Sequence, residues 1–150
     1  MFIRKANKED IDELSKLRVK QQKDDWGNEY TDKMNLEEKT KDYLRMYLNN
    51  TLEIFVAVDN KIISTCGIQE INMLPQCNDN GKIGYICSVF TLYEYRHRGI
   101  QKELFKQVIN YAKEKGICEL QLETDNSIAI ELYKQQGFFK NDLSMIMDLK

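Results

Sequence analysis

The sequence predicts an α/β (α+β) fold, a single domain over residues 1–150 in which a mixed, mostly antiparallel, twisted sheet is flanked by about four helices. Three observations carry that reading. Two β-rich runs, Glu53 to Val58 and Lys61 to Ile71, are joined by Asp59-Asn60, residues that tolerate the positive φ of a tight hairpin. An apolar run, Ile83 to Leu92, feeds a helix-patterned segment from Ile100 to Lys115. A further strand pattern, Ile117 to Glu123, alternates, and is followed by a segment that Asn126 or Ser127 can cap and Gly137 ends.

The remaining elements follow in order. Phe2-Ile3-Arg4 reads as a short strand, and Asn7 with Asp10 can cap a helix that carries Ile11, Leu14, Leu17 and Arg18 on one face. From Gln21 to Asn35 the chain is polar around Trp26-Gly27 and Tyr30, which predicts an irregular approach to a second helix carrying Leu36, Tyr43, Leu44, Tyr47 and Leu48. Asn72 to Lys82 holds the only proline, Pro75, with Asn78, Asp79, Asn80 and Gly81, and is expected to be a loop at one end of the sheet, where loops often shape substrate entry. Ile83 to Leu92 is too apolar to leave one face wet, so it is placed centrally; the helix after it buries Ile100, Leu104, Val108 and Ala112 and ends at Gly116. The tail, Ser144 to Leu149, reads as a last antiparallel strand after a turn at Lys140-Asn141-Asp142. No internal repeat, linker or low-complexity tract interrupts the chain.

Composition narrows the function classes. With 150 residues, 42% of them apolar, the chain can bury one full core but not two. The net charge of −2 combines a basic stretch around Arg96 with acidic Glu119, Glu123 and Asp125, a balance that argues against long nucleic acids as partners. Cys66, Cys77, Cys87 and Cys118 show no metal-ligand spacing, and three of them lie in apolar runs, so no metal is expected and a reduced, cytoplasmic location follows most simply. No apolar run approaches the roughly 18 residues of a membrane span, and the first residues lack a signal-peptide core, so no membrane association is expected.

The chemistry concentrates at Tyr95-Arg96-His97-Arg98-Gly99-Ile100-Gln101. A strand that feeds a basic, glycine-containing turn at a helix start offers free N–H groups and the positive end of the helix dipole to an anion. Arg96, His97, Arg98 and Lys102 add charge, and Gly99 stands where a side chain would most obstruct a phosphate approaching the backbone. Taken by itself, the turn fits an ordinary strand-to-helix connection with solvated basic residues equally well.

Three segments together resemble the GCN5-related N-acetyltransferase (GNAT) family. Arg96-His97-Arg98-Gly99-Ile100-Gln101 is similar to the family's pyrophosphate motif, Arg/Gln-x-x-Gly-x-Gly/Ala, with Gln101 the one clear departure. Asn126 to Phe138 matches the signature Asn-x-x-Ala-x-x-x-Tyr-x-x-x-Gly-Phe. Ile3-Arg4-Lys5-Ala6 with Asp10, Leu14 and Leu17 is similar to the family's opening strand and helix, and Tyr85 to Thr91 fits the central strand of a subset of small bacterial-type members.

The resemblance implies a GNAT fold and an acetyl-CoA-dependent N-acetyltransferase that moves an acetyl group to a primary amine by direct attack in a ternary complex. It implies that the central strand splays from its neighbour, so that Val89, Phe90 and Thr91 pair with the pantetheine arm of coenzyme A. It makes Arg96 to Gln101 the cofactor-binding motif and places the pyrophosphate in the turn from His97 through Arg98, Gly99, Ile100 and Gln101 to Lys102. Arg98 is then the foremost side-chain contact, the backbone donors are more important than any one side chain, and the Gln101 side chain sits beside the phosphates. The resemblance also gives Asn126 a contact to the cofactor arm. Tyr133 is the expected proton donor to the leaving thiolate, its alternative being an amphipathic core tyrosine. His97, in the phosphate turn, is poorly placed to serve as a base; Glu123 is the candidate, with Gln121 and Glu70 near and water relay the alternative.

Trp26, Tyr30, Asp24, Asp25 and Glu29 offer an aromatic, acidic wall for a cationic amine of a small molecule or peptide, or else a polar helix approach around one buried tryptophan. Family members often form homodimers through edge strands, and Ser144 to Leu149 offers such an edge. A second functional class, a non-catalytic acyl-CoA-binding sensor or regulatory module, is suggested by Gln101 and the absence of an obvious base. Other nucleotide-binding domains are disfavoured, because the chain lacks GxxxxGK[ST] and a GxGxxG turn near its start.

Overall fold

The computed structural model describes residues 1–29 and 35–150; the expectation for Tyr30 lies outside the described residues. Five strands form one sheet in the order β1 (Phe2–Lys5), β2 (Leu52–Asp59), β3 (Lys61–Asn72), β4 (Lys82–Thr91), β5 (Glu119–Gln121). The first three pairings are antiparallel and the last is parallel, as the crossover through a helix requires. Among the described residues there are four α-helices: α1 (Ile11–Trp26), α2 (Leu36–Tyr47), α3 (Ile100–Glu114) and α4 (Ser127–Gln135).

Local chemistry explains most of these boundaries. Asn7 Oδ1 accepts from the Glu9 N–H at 2.8 Å and Asp10 Oδ2 accepts from the Asn7 N–H at 2.8 Å, a reciprocal cap on the 3-10 turn that leads into α1. Arg4 grips the same Asp10 carboxylate through two bonds of 2.7 and 2.8 Å and ties β1 to the start of α1. The hairpin between β2 and β3 turns at Asn60 with φ +59°, as Asp59-Asn60 predicted.

The sheet separates two apolar layers. Alternation along β2 sends Ile54 and Val56 toward Leu14, Leu44 and Leu48 of the α1/α2 layer, and Phe55 and Ala57 toward Leu104, Phe105 and Val108 of α3. β2 and β3 are therefore the strands buried on both sides. β4 has neighbours on both edges but is less enclosed than its composition predicts: Ile86 and Phe90 are buried, whereas Tyr85, Cys87 and Val89 are only partly so. The sheet beyond it is three residues wide, which leaves little to cover its second face.

Three expectations need correction. The segment from Gln21 is not irregular from its start, since α1 continues through Trp26 and closes at Gly27 with φ +87°. β5 spans only Glu119–Gln121, shorter than the alternating pattern from Ile117 to Glu123. Ser144 to Leu149 is not a strand, and Met145, Ile146, Met147 and Leu149 are exposed. A strand exists only with a partner for its N–H and C=O groups, and the three-residue β5 gives the tail almost no edge to pair with. The edge offered for self-association is therefore not formed as a strand in this structure.

Candidate active site

The site is built on β4, whose two edges behave differently. Toward β5, pairing is limited to Ile83–Glu119, Gly84–Leu120 and Tyr85–Gln121; from Ile86 to Thr91 that edge has no strand partner among the described residues. Beyond Gln121 the chain leaves the ladder and reaches α4, so β5 does not follow β4 past Tyr85.

Toward β3, the ladder resumes after an irregularity. Thr65 pairs with Phe90 and Gly67 with Cys87, so two steps on β3 face three on β4. The extra residue marks a β-bulge, and Ser88 in the left-handed region at φ +50° absorbs it. The three carbonyls past the bulge are each held by a side chain from a different element. Gln21 Nε2 of α1 donates to Val89 O at 3.1 Å, Gln101 Nε2 of α3 to Phe90 O at 3.0 Å, and Arg96 Nε to Thr91 O at 3.0 Å.

The turn follows directly. After the 3-10 turn Tyr93–Tyr95, His97 at φ +61° and Gly99 at φ +74° swing the chain into α3. Gly99 caps α3 without a side-chain bond, and a Cβ built there would meet nothing within 4 Å. The first N–H groups of α3 thus face open space at the positive end of a 15-residue helix dipole, a geometry that fits an anion. His97 and Lys102 are exposed at its rim.

Two arginines are less available than the sequence suggests. Arg96 also reaches Asp24 Oδ2 at 3.3 Å and lies over the Phe90 and Tyr93 rings, so it braces the strand end against α1. Arg98 donates to Glu94 O at 2.8 Å and covers the Tyr95 ring. The Ile100 side chain is buried in the core, leaving only its backbone on the turn. The Gln101 side chain is not beside the expected phosphate position: it points into the sheet, which corrects the sequence reading. From a first-turn position its amide can reach the β3 and β4 backbone, and it is drawn there by four oxygen partners.

Beyond β5, Asn126 Oδ1 accepts from the N–H groups of Ile128 and Ala129 at 3.0 and 3.1 Å and caps α4. Tyr133, two turns further on, is half-buried with its ring edge-on to Phe105 and Phe138, centroids 5.7 and 5.9 Å away. Burial first, with smaller electrostatic effects of its neighbours Cys66 and Asp25, pushes its hydroxyl up to about 12, so it holds its proton throughout the neutral range. Asp25 on α1 is within electrostatic reach of Tyr133, Arg18, Arg96 and Asp125, and burial raises its own pKa. Glu123 is exposed just past β5, where its charge adds to burial in raising the Tyr85 pKa.

Of the residues expected to meet the acceptor, Asp24 bonds Arg96 and Asp25 lies within electrostatic reach of Arg18 and Arg96, whereas Trp26 is 65% exposed and is not the buried tryptophan of the alternative reading. Gln21 was missed as a site residue because nothing in a polar helix pattern singles out one glutamine.

The comparisons agree with this architecture. The model of the Acetyltransferase (GNAT) family matches residues 12–138. A 64-residue stretch is 36% identical to an uncharacterized N-acetyltransferase of Methanocaldococcus jannaschii; it takes in 41% of this chain but only 28% of that curated relative. Among solved structures, a predicted acetyltransferase with acetyl-CoA from Clostridium acetobutylicum superposes with a TM-score of 0.87 at 28% identity, over 99% of this chain and 96% of that one. A GCN5-related N-acetyltransferase from Ralstonia eutropha shares the fold, with a TM-score of 0.84 at 18% identity over 99% and 97% of the two chains. With the family model spanning most of its length, and an opened β4 edge beside a glycine-led helix start, the chain belongs to the acetyltransferase (GNAT) family.

Proposed function

We propose that this protein is an acetyl-CoA-dependent N-acetyltransferase acting on a primary amine of a small molecule or peptide. The observation that carries the reading is the succession of two backbone surfaces, the β4 edge from Ile86 to Thr91, which no strand covers among the described residues, and the start of α3 at Gly99, which no side chain caps. One suits an extended amide-containing arm, added as a strand; the other suits a pyrophosphate. The acetyl-CoA held by the Clostridium acetobutylicum structure supports the pairing of these surfaces with one ligand.

Acetyl-CoA supplies an acetyl group activated as a thioester. In this reading the backbone groups of Val89, Phe90 and Thr91 orient the arm, and the N–H groups from His97 to Lys102 hold the pyrophosphate. The Nδ2 of Asn126, whose Oδ1 is committed to the helix cap, donates to the arm. Tyr133 holds a proton for the departing sulfur. Glu123 receives the proton of the attacking amine, directly or through water. Burial raises the thiol pKa of Cys66, and that of Cys87 to about 11, so neither offers a thiolate at neutral pH, which favours direct transfer over an acyl-cysteine route.

Acetyl-CoA, coenzyme A and ATP compared in thermal unfolding test the reading without knowledge of the acceptor. At about one hundred times Kd, binding adds roughly 2.7 kcal/mol, or roughly 5–10 °C for a chain of this size. A shift with both coenzyme A forms and not with ATP is expected; no shift at millimolar acetyl-CoA would remove the reading's main support. Release of coenzyme A thiol with any member of an amine panel then separates an enzyme from a sensor. One reason to consider a sensor has weakened, because the Gln101 side chain does not crowd the turn.

A further inference from the structure

We propose that Gln101 is a positioning residue that locks the cofactor-bearing end of β4 to β3 and to the first turn of α3, and so sets the height of the pantetheine track relative to the pyrophosphate turn. The inference rests on the acetyl-CoA reading above. Its basis is the bulge. Where β4 carries one residue more than β3, the regular ladder is interrupted. Side chains bridge the break: Thr65 Oγ1 donates to Ser88 O at 2.6 Å and Ser64 Oγ to Phe90 O at 2.9 Å, both residues being almost wholly buried.

Gln101 completes this bridge from the helix. Its Nε2 lies 2.9 Å from Ser64 Oγ, 3.0 Å from Thr65 O, 3.0 Å from Phe90 O and 3.1 Å from Thr91 Oγ1, so a single amide touches both strands at the positions that follow the bulge. The amide has one usable orientation. Thr65 O and Phe90 O can only accept, so turning the amide over would set Oε1 against two carbonyl oxygens. That constraint leaves Oε1 buried without a partner among the described residues, a desolvation penalty that an apolar residue would not incur. A side chain that adds an orphaned acceptor to the core, yet ties two strands to a helix start, is better explained by position than by stability.

The phosphate end and the strand end of the site are separable with ligands, and this gives the test. Gln101→Ala removes the bridge while leaving a residue suited to the first turn of a helix; Gln101→Met fills the same space without the donors and guards against a packing defect. Calorimetric titration compares each variant with the parent protein for acetyl-CoA and for 3′-phospho-ADP, the nucleotide half of the ligand that carries the pyrophosphate but no arm. The expected result is acetyl-CoA binding weakened about tenfold in both variants, with 3′-phospho-ADP unchanged to within about twofold. Equal losses for both ligands would overturn the inference in favour of a direct phosphate contact. Unchanged affinity for both would overturn it in favour of a packing role. Were the parent protein to bind neither ligand, the acetyl-CoA reading itself would fail, an outcome distinct from a parent that binds and variants that match it.

Discussion

The two edges of β4 differ along a single strand. Toward β3 the edge is closed: the ladder runs from Ser64–Thr91 to Asn72–Lys82, and where the bulge breaks it, Ser64, Thr65 and Gln101 supply side-chain bonds. Toward β5 only three residue pairs form, and the strand then runs on alone for six residues, Ile86 to Thr91. An unpaired edge is ordinarily a liability that proteins cover or blunt. Here it lies in a strand that runs on to a helix start without a side-chain cap, the two backbone surfaces to which the proposed function assigns the cofactor.

The largest expected effect comes from removing the proposed proton donor, the Tyr133 hydroxyl on α4. Tyr133→Phe keeps the ring contacts with Phe105 and Phe138 and loses only the hydroxyl. Turnover should fall about tenfold to a thousandfold while acetyl-CoA binding is retained. The pH dependence follows from the direction of the shift. Because burial moves this hydroxyl from its ordinary value near 10 up to about 12, it stays protonated as pH rises through 8 and 9. A rate profile flat over that range in its proton-donor limb is expected, and equal turnover of variant and parent at every pH would remove the role.

A smaller effect comes from wedging the short paired stretch between β4 and β5. Gly84 pairs with Glu70 on one side and Leu120 on the other, and a Cβ there would approach Ile68 Cδ1 to 2.6 Å and Leu120 Cδ2 to 2.7 Å. Ile68 is fully buried and has little room to yield. Gly84→Val should therefore cost about 1–3 kcal/mol of stability, seen as a lower midpoint in thermal unfolding, because overpacking forces side chains off their preferred rotamers. An unchanged midpoint would show that Leu120 swings clear and that β5 is held more loosely than the register implies.

How much of this was legible in the sequence depends on whether a feature is local. The hairpin at Asp59-Asn60, the helix from Ile100 and the Asn126 cap are each encoded within a few neighbouring residues, and each stands where the sequence placed it. The chain also carries Gly99 and its basic neighbours in one short run between an apolar strand pattern and a helix pattern, so the place of the strand-to-helix turn was readable. Its side-chain directions were not. Arg96 and Gln101 are drawn away by Asp24, Ser64, Thr65 and Phe90, partners that only the folded sheet brings near. The tail failed for a related reason: Ser144 to Leu149 has strand composition, but a strand needs an edge, and the length of β5 is set by where the chain departs toward α4.

The finest test of the open edge lies at Asn126, where one side chain carries two separable duties. Its Oδ1 caps α4 by accepting from Ile128 and Ala129, while its Nδ2 is proposed to donate to the cofactor arm. Asn126→Ala removes both and should cost about 1 kcal/mol of stability, a few degrees in the unfolding midpoint. Asn126→Asp keeps an acceptor at the helix start, where a negative charge is also favoured by the dipole, and so should leave the midpoint within about 1 °C of the parent. The two variants then diverge in stability but converge in function: both should raise the KM for acetyl-CoA several-fold, because neither retains an amide donor. If Asn126→Asp binds acetyl-CoA as the parent does, Asn126 is a cap and no more, and the arm is held from the β4 side alone.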